Sequence, residues 1–333
     1  MTLKVGLIGG GSWGTTVASL VSRNCPTTLW ARDLHTVNDI NKNHRNEKYL
    51  AGINLHESLK ASDSLKETLQ HADVVIMGVP TQSSRNVLEE AKLYIRPWVP
   101  IISLSKGLEQ GTKMRLTQII ETILPGHPVG VLTGPNLAKE IMQGQAAAAV
   151  LAMVDKSIAH ALQNVFRTGL FRIYTNDDVI GCELAGALKN VIAIAVGMGD
   201  GMGAGDNTRS AVITRGLAEL TRLGVAMGGQ PMTFAGLAGM GDLIATCTSP
   251  LSRNRYVGVQ LGLGKNINDI ISEMSMVAEG VKTSSVVVEI AKDMGIEMPI
   301  ANEVYKVVSG QTNAIEAFRG LLKTKTRSEA DPG

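Results

Sequence analysis

Up to about residue 178 the chain alternates between two patterns. Residues 3–8, 27–31, 72–79, 100–104 and 129–133 are short, nearly continuous apolar runs bounded by Gly, Pro or Asp, the pattern of strands buried on both faces. Between them, residues 36–46, 64–70, 82–93 and 113–123 carry apolar side chains at helical spacing. Strands alternating with helices predict a parallel sheet wound by βαβ units. Beyond residue 178 the strand pattern stops. Residues 183–196, 208–223, 233–237, 254–261, 267–274, 283–294, 301–308 and 314–322 read as helices separated by glycine-rich loops.

The first strand runs into Gly9-x-Gly11-x-x-Gly14 and then into a helical pattern. In this spacing Gly9 permits the tight turn, Gly11 lets the backbone approach a pyrophosphate, and Gly14 allows the helix to pack closely on the strand. The helix N-terminus then offers free N–H groups and its positive dipole end to the anion. These features predict an α/β protein with an N-terminal Rossmann-like doubly wound parallel sheet plus a C-terminal all-α domain. The expected division is a dinucleotide-binding domain at 1–180, a helical substrate domain at 181–322 and a polar tail at 323–333. The second strand ends at Arg32-Asp33, where the ribose is read. An arginine there suits a 2′-phosphate and an acid suits a 2′-hydroxyl, and this chain has both.

Composition narrows the function classes. With 44% apolar and 19% charged residues there is material for a core. Aromatics are only 4% against 36 glycines, so Ala, Val, Ile, Leu and Met must fill that core. The net charge of +2 argues against a nucleic-acid partner or an anionic membrane surface. Cys25, Cys182 and Cys247 are odd in number and form no CxxC, which fits a reducing cytoplasm rather than a disulfide framework. The six histidines have no ligand spacing, so no metal site is expected. The longest uninterrupted apolar run, 146–154, is far short of the roughly 20 residues that span a bilayer, so no membrane insertion is expected. The uncharged stretch between Lys4 and Arg23 is broken by glycines and makes a poor signal-peptide core.

In the helical part, Lys189 is the only charge between Leu184 and Val196. Burial in such a helix would push its pKa toward neutrality and make it a proton donor or acceptor; alternatively its stem packs and its head snorkels to water. Lys106 follows a strand end, where open α/β sheets bind ligands. Asp242 is a lone acid in a glycine-rich apolar stretch. Ser252-Arg253-Asn254-Arg255 reads as a cap followed by a basic helix start, a natural anion site.

Taken in order, these segments resemble the bacterial NAD(P)-dependent sn-glycerol-3-phosphate dehydrogenases. The stretches are GGGSWGTTVA at 9–18, SKGLE at 105–109, TGPNLAKE at 133–140, ELAGALKNVIAIA at 183–195, GDNTRSAVITRGLAE at 205–219, GMGDLIATC at 239–247, SRNR at 252–255 and AEGVKT at 278–283. The resemblance implies reversible reduction of dihydroxyacetone phosphate to sn-glycerol 3-phosphate, the start of glycerophospholipid synthesis, in a cytoplasmic homodimer. It implies that Lys189 donates the proton, helped by Asp242, and that Lys106 touches both substrate and cofactor. Gly134, Asn136, Asn190, Asp242, Thr246, Ser252, Arg253 and Asn254 are then substrate residues. Gly9, Gly11, Ser12, Trp13, Gly14, Arg32, Tyr49, Lys106, Ala138, Arg253, Val277 and Glu279 are then cofactor residues. NADPH or NADH would serve, NADPH being moderately preferred because Arg32 favours it, with Asp33 expected to point to solvent or cap the next helix rather than face the ribose. Asn136 and Asp33 depart from the commoner family pattern, which has Ser or Thr and a second arginine there. Two rivals are a 3-hydroxyacid dehydrogenase of similar build, which would bind a carboxylate instead of a phosphate, and a non-catalytic dinucleotide sensor, which would need neither lysine.

Overall fold

The computed structural model describes residues 2–274 and 278–323. Val277 and almost all of the expected polar tail lie outside these residues. The chain divides into two compact units, one comprising residues 1–105 and 115–179, the other residues 106–114 and 180–333.

The first unit is built on an eight-stranded sheet. Its elements are β1 (Val5–Ile8), α1 (Ser12–Val21), β2 (Thr27–Trp30), α2 (Leu34–Asn43), β3 (Lys60–Ser62), α3 (Leu65–Leu69), β4 (Val74–Met77), α4 (Thr81–Ala91), β5 (Ile101–Ser103), α5 (Leu116–Ile123), β6 (Val129–Thr133), α6 (Ala138–Met142), β7 (Ala147–Met153), α7 (Lys156–Phe166) and β8 (Phe171–Asn176). The strand order is β3-β2-β1-β4-β5-β6-β7-β8. Every pairing is parallel except β6 with β7, which is antiparallel. The order reverses between β1 and β4, so the switch point lies at their carboxyl ends. β1 and β4 are buried along their whole length, as their unbroken apolar sequences require. The apolar run at 146–154 is a strand, β7. Both β7 and β8 lie beyond the expected series. β7 is half alanine, and β8 alternates buried and exposed residues at the edge of the sheet.

The second unit is helical. The helices are α8 (Val179–Gly201), α9 (Asp206–Ala226), α10 (Pro231–Ala235), α11 (Asp242–Thr248), α12 (Arg253–Gly262), α13 (Ile267–Glu273), α14 (Glu279–Met294), α15 (Pro299–Val308) and α16 (Ala314–Leu322). By length and composition α8 could cross a membrane, but 94% of its apolar window is buried inside the protein. Lys189 and several glycines interrupt the run, which is why a search for unbroken apolar stretches passes over it. Its side chains from Leu184 to Met198 form the centre of the hydrophobic core, with Leu220, Leu223, Phe234, Val257, Val286 and Val304 packed around them. α9 supplies Glu219, whose carboxylate accepts the backbone N–H groups of Ile300 (2.7 Å) and Ala301 (3.2 Å). It thereby caps α15 from another helix, where the N-cap residue, Met298, has no polar side chain to do so. Burial raises the Glu219 carboxyl to about 7.

Candidate active site

The sheet unit provides a turn made of backbone. Gly9 has φ +124°, and a Cβ on it would lie 2.6 Å from the carbonyl of Gly78, which follows β4. A Cβ on Gly14 would lie 2.1 Å from the Gly9 oxygen. Only hydrogen fits at either position, and the turn therefore sits at the β1–β4 switch point. Gly11 is different: nothing lies within 4 Å of where its Cβ would stand. It caps α1 without any side-chain hydrogen bond, leaving the first N–H groups of that helix for an outside acceptor. Asn46, which the sequence patterns did not single out, braces the turn. Its buried amide donates to the Gly10 carbonyl (3.0 Å) and to Thr15 Oγ1 (2.8 Å). In the sequence it is one of a run of polar residues, 41–48, at the end of the predicted helix, and nothing there sets it apart.

Other expected residues of this unit surround polar atoms in need of partners. Trp13 Nε1 and both amide atoms of Asn136 are buried with no partner among the described residues, as befits groups that meet a ligand. Trp13 is held edge-on by Phe171, ring centroids 6.4 Å apart. Gly134 has φ +128°, and a Cβ there would press on Ala149. Ser12 opens α1 and Ala138 opens α6. Arg32 is exposed. Asp33 is the N-cap of α2: its carboxylate accepts from His35 N (3.1 Å), Thr36 Oγ1 (3.0 Å) and Lys48 Nζ (3.2 Å). Those bonds, the Thr36 one foremost, hold its pKa below the usual carboxylate value. Lys48 also lies 5.6 Å from the centre of the Tyr49 ring. The open turn, the unsatisfied N–H groups and the orphaned indole and amide together fit a dinucleotide.

The helical unit provides a cluster of side chains. A turn of π-helix at Leu237–Gly241 leads into α11 and puts Asp242 at its first position, 1% exposed. Its two oxygens are divided between two lysines: Oδ1 accepts from Lys189 Nζ at 2.6 Å and Oδ2 from Lys106 Nζ at 2.7 Å. Lys189 Nζ also donates to Thr246 Oγ1, whose own hydroxyl donates to the Asp242 carbonyl one turn back at 2.6 Å. The Lys189 side chain is 6% exposed and that of Lys106 15%, so Lys189 is paired inside rather than snorkelling. Burial lowers the Lys189 ammonium to about 8; the Asp242 charge opposes that shift and Lys106 adds to it. Two ammonium groups thus share one carboxylate in a poorly hydrated place, with the Glu279 carboxylate also against residue 106.

Asparagines tie this cluster to the anion-type helix start. Asn190 Nδ2 donates to the Lys106 carbonyl (3.0 Å). Asn254 Nδ2 donates to Asn190 Oδ1 (2.9 Å), and Gly280 N donates to Asn254 Oδ1 (3.0 Å). Both amide oxygens are thus occupied, while each NH2 group has a second N–H. Glu279 Oε2 accepts the Lys106 N–H (3.3 Å). Ser252 caps α12 by accepting from Arg255 N (3.2 Å), and Arg253 is exposed in the first turn. The structure therefore brings together Lys106, Lys189, Asn190, Asp242, Thr246, Asn254 and Glu279. Ser252 and Arg253 follow at the start of α12.

An open phosphate turn on a switch-point sheet, in a chain that also buries a depressed-pKa lysine on a shared carboxylate, is the construction of a nicotinamide-dependent oxidoreductase. Comparison with known proteins narrows the class. Residues 4–159 match the N-terminal family of NAD-dependent glycerol-3-phosphate dehydrogenase, and residues 178–319 match its C-terminal family. A glycerol-3-phosphate dehydrogenase of Sphingopyxis alaskensis, named for NAD(P)+, is 64% identical over the full length of both chains. One of Mycobacterium avium is 57% identical over 96% of this chain and 94% of its own. The crystal structure of glycerol-3-phosphate dehydrogenase from Coxiella burnetii superposes with a TM-score of 0.92 at 34% identity, over 97% of this chain and 99% of that one. The chain belongs to the NAD(P)-dependent glycerol-3-phosphate dehydrogenases.

Proposed function

We propose that the protein reversibly reduces dihydroxyacetone phosphate to sn-glycerol 3-phosphate, supplying glycerophospholipid synthesis, as a cytoplasmic homodimer. The observation that carries the chemistry is the Lys106–Asp242–Lys189 bridge. The dinucleotide, when bound, supplies the hydride for the carbonyl carbon. Lys189 Nζ gives the proton to the carbonyl oxygen; with a pKa near 8 it is both charged at neutral pH and willing to release. Asp242 and Thr246 hold that ammonium in one orientation. Lys106 adds positive charge where the alkoxide forms. Arg253, Asn254 and Asn190 are suited to grip the phosphate with a guanidinium and amide N–H groups, while Ser252 fixes the start of their helix. Phosphate binding energy then orients the carbonyl.

For the cofactor, the residues proposed are Gly9, Gly11, Ser12, Trp13, Gly14, Arg32, Tyr49, Lys106, Ala138, Arg253, Val277 and Glu279, with Gly134 and Asn136 proposed for the substrate. NADPH is moderately preferred: Arg32 is exposed beside the ribose position, and Asp33 is occupied as a helix cap rather than held ready for a 2′-hydroxyl. The cytoplasmic placement is supported by three buried free cysteines, and the homodimer by the family resemblance. The test is oxidation of NADPH or NADH by the purified protein with dihydroxyacetone phosphate, against unphosphorylated dihydroxyacetone. Much higher kcat/KM for the phosphorylated substrate is expected. Equal values would remove the phosphate grip, and preference for a carboxylate substrate would favour the hydroxyacid dehydrogenase reading.

A further inference from the structure

Helices α8 and α12 meet without side chains between them. α8 carries Gly197 and Gly201, and α12 carries Gly258 and Gly262, each pair one helical turn apart. A Cβ on Gly197 would lie 2.2 Å from the Arg255 oxygen, and one on Gly201 would lie 2.3 Å from that of Val259. In return, Cβ atoms on Gly258 and Gly262 would lie 2.1 Å from the Ile194 oxygen and 2.4 Å from the Met198 oxygen. Backbone rests on backbone in both directions. This seam joins the helix that bears Lys189 and Asn190 to the helix whose first turn bears Arg253 and Asn254.

The start of α12 is held by the Ser252 cap and by the Asn254 amide bonds to Asn190 and Gly280. Asp200, on α8 between Gly197 and Gly201, adds a charged tie to the same turn. Its side chain is 8% exposed. Oδ2 accepts from Arg255 Nε (2.8 Å) and pairs with Arg255 Nη2 (2.7 Å). Oδ1 accepts from Arg209 Nε (2.9 Å) and pairs with Arg209 Nη2 (2.8 Å). One buried carboxylate therefore holds two guanidinium groups, each placing Nε and Nη2 on one of its oxygens, charge-assisted contacts that fix both arginines. Arg255 lies two residues beyond Arg253, on a different side of the helix. Fixing Arg255 on Asp200 sets the rotation of that first turn and with it the direction in which Arg253 and Asn254 face. With Asp206 also paired to Arg209, two carboxylates balance the two guanidiniums, so that a dianion is not drawn to Arg255.

We infer that Asp200 is a positioning residue for phosphate recognition: through Arg255 and the glycine seam it fixes the start of α12 relative to the Lys189–Asn190 turn. The inference rests on the reading of Arg253 and Asn254 as the phosphate grip. Asp200 touches no reacting atom.

Full-length Asp200→Asn, Arg255→Lys and Arg253→Ala proteins test it. The readouts are kcat, KM for dihydroxyacetone phosphate, KM for the dinucleotide, the inhibition constant of inorganic phosphate and the thermal midpoint. In Asp200→Asn, KM for dihydroxyacetone phosphate and the phosphate inhibition constant should rise together about tenfold, the loss of one charge-assisted contact. Dinucleotide KM should rise less than these two constants, because Arg253 is also read as a cofactor residue, and kcat should stay nearly unchanged. Arg255→Lys, which keeps the charge but not the fork, should show a smaller rise in the same two constants. A folded Asp200→Asn protein with both constants unchanged overturns the inference. So does one in which kcat and dinucleotide KM deteriorate in step with them, since that marks general loosening. If Asp200→Asn does not fold, Arg255→Lys decides by the same criteria, because Asp200 there keeps Arg209. Unchanged constants in Arg253→Ala would instead overturn the phosphate-grip reading itself.

Discussion

Gly11 and Lys189 act in opposite ways. Gly11 is useful for what it lacks: with no Cβ, it leaves backbone N–H groups of one continuous turn facing outward. Lys189 is useful for a charged side chain held where charge is costly, and the cluster it joins is drawn from separate segments, α8, α11 and residues 106–114. The dinucleotide turn is thus local and made of main chain. The lysine cluster is assembled over long sequence distances and made of side chains. Damage to the first should weaken binding, and damage to the second should weaken chemistry.

The largest effect that would sharpen this contrast belongs to Lys189→Met. It should lower kcat by roughly 10²–10⁴, the usual contribution of a general acid, with dinucleotide affinity measured by fluorescence titration left intact. In the unmodified enzyme, kcat for reduction should decline as pH rises through about 8, where the donor loses its proton. A pH-independent kcat across that range would take the proton from elsewhere.

Gly11→Ala is the opposite experiment. The new methyl meets no atom of the described residues within 4 Å, so the melting temperature should not move, while KM for the dinucleotide rises about tenfold through lost backbone approach. Gly14→Ala, whose Cβ collides with the Gly9 carbonyl, should instead cost about 1–3 kcal/mol of stability. If the two variants behave alike in calorimetry, the turn is not divided into a packing glycine and a ligand glycine.

Glu219 tests whether the helical unit tolerates buried charge outside the cluster. Its folded-state pKa is raised from 4.5 to about 7, so between those values the folded chain holds a proton that the unfolded chain has lost. Its contribution to stability should therefore fall as pH rises from about 4.5 to about 7 and stay level above. Urea unfolding of Glu219→Gln across this range should lack that decline. The smallest effect expected is in cofactor choice. Arg32→Ala should lower the NADPH/NADH ratio of kcat/KM several-fold and Asp33→Arg should raise it less, because exposed charges are screened. An unchanged ratio in both would place the discriminator elsewhere.

The sequence exposed the two units unequally, and the same contrast explains why. Continuous apolar runs located the five strands β1, β2, β4, β5 and β6, since each is buried on both faces. β3 is only Lys60–Ser62, β7 is half alanine, and β8 alternates at an edge, so hydropathy does not mark them. The glycine turn was legible because its function depends on spacing. Lys189 was legible as a charge out of place. Its pairing with Lys106 through Asp242 was not, because Asp242 is fixed by a turn of π-helix that spacing does not reveal. Family resemblance named these residues; only the fold gave their order of contact.

The helical unit is discontinuous in the chain. Residues 106–114 lie inside the sequence range of the N-terminal family, yet they belong with the helices, where Leu108 is fully buried in the core and Lys106 completes the bridge. During synthesis this strap emerges well before the helices that enclose it, and it must wait for them. A fragment cut between the two family-matched stretches would carry α8 to α16 but lack a piece of its own interior and half of its lysine pair. The helical unit is thus not a module that recombination could transplant whole. Any exchange of the sheet unit must return a matching strap, or the helices that receive it will close around a hole.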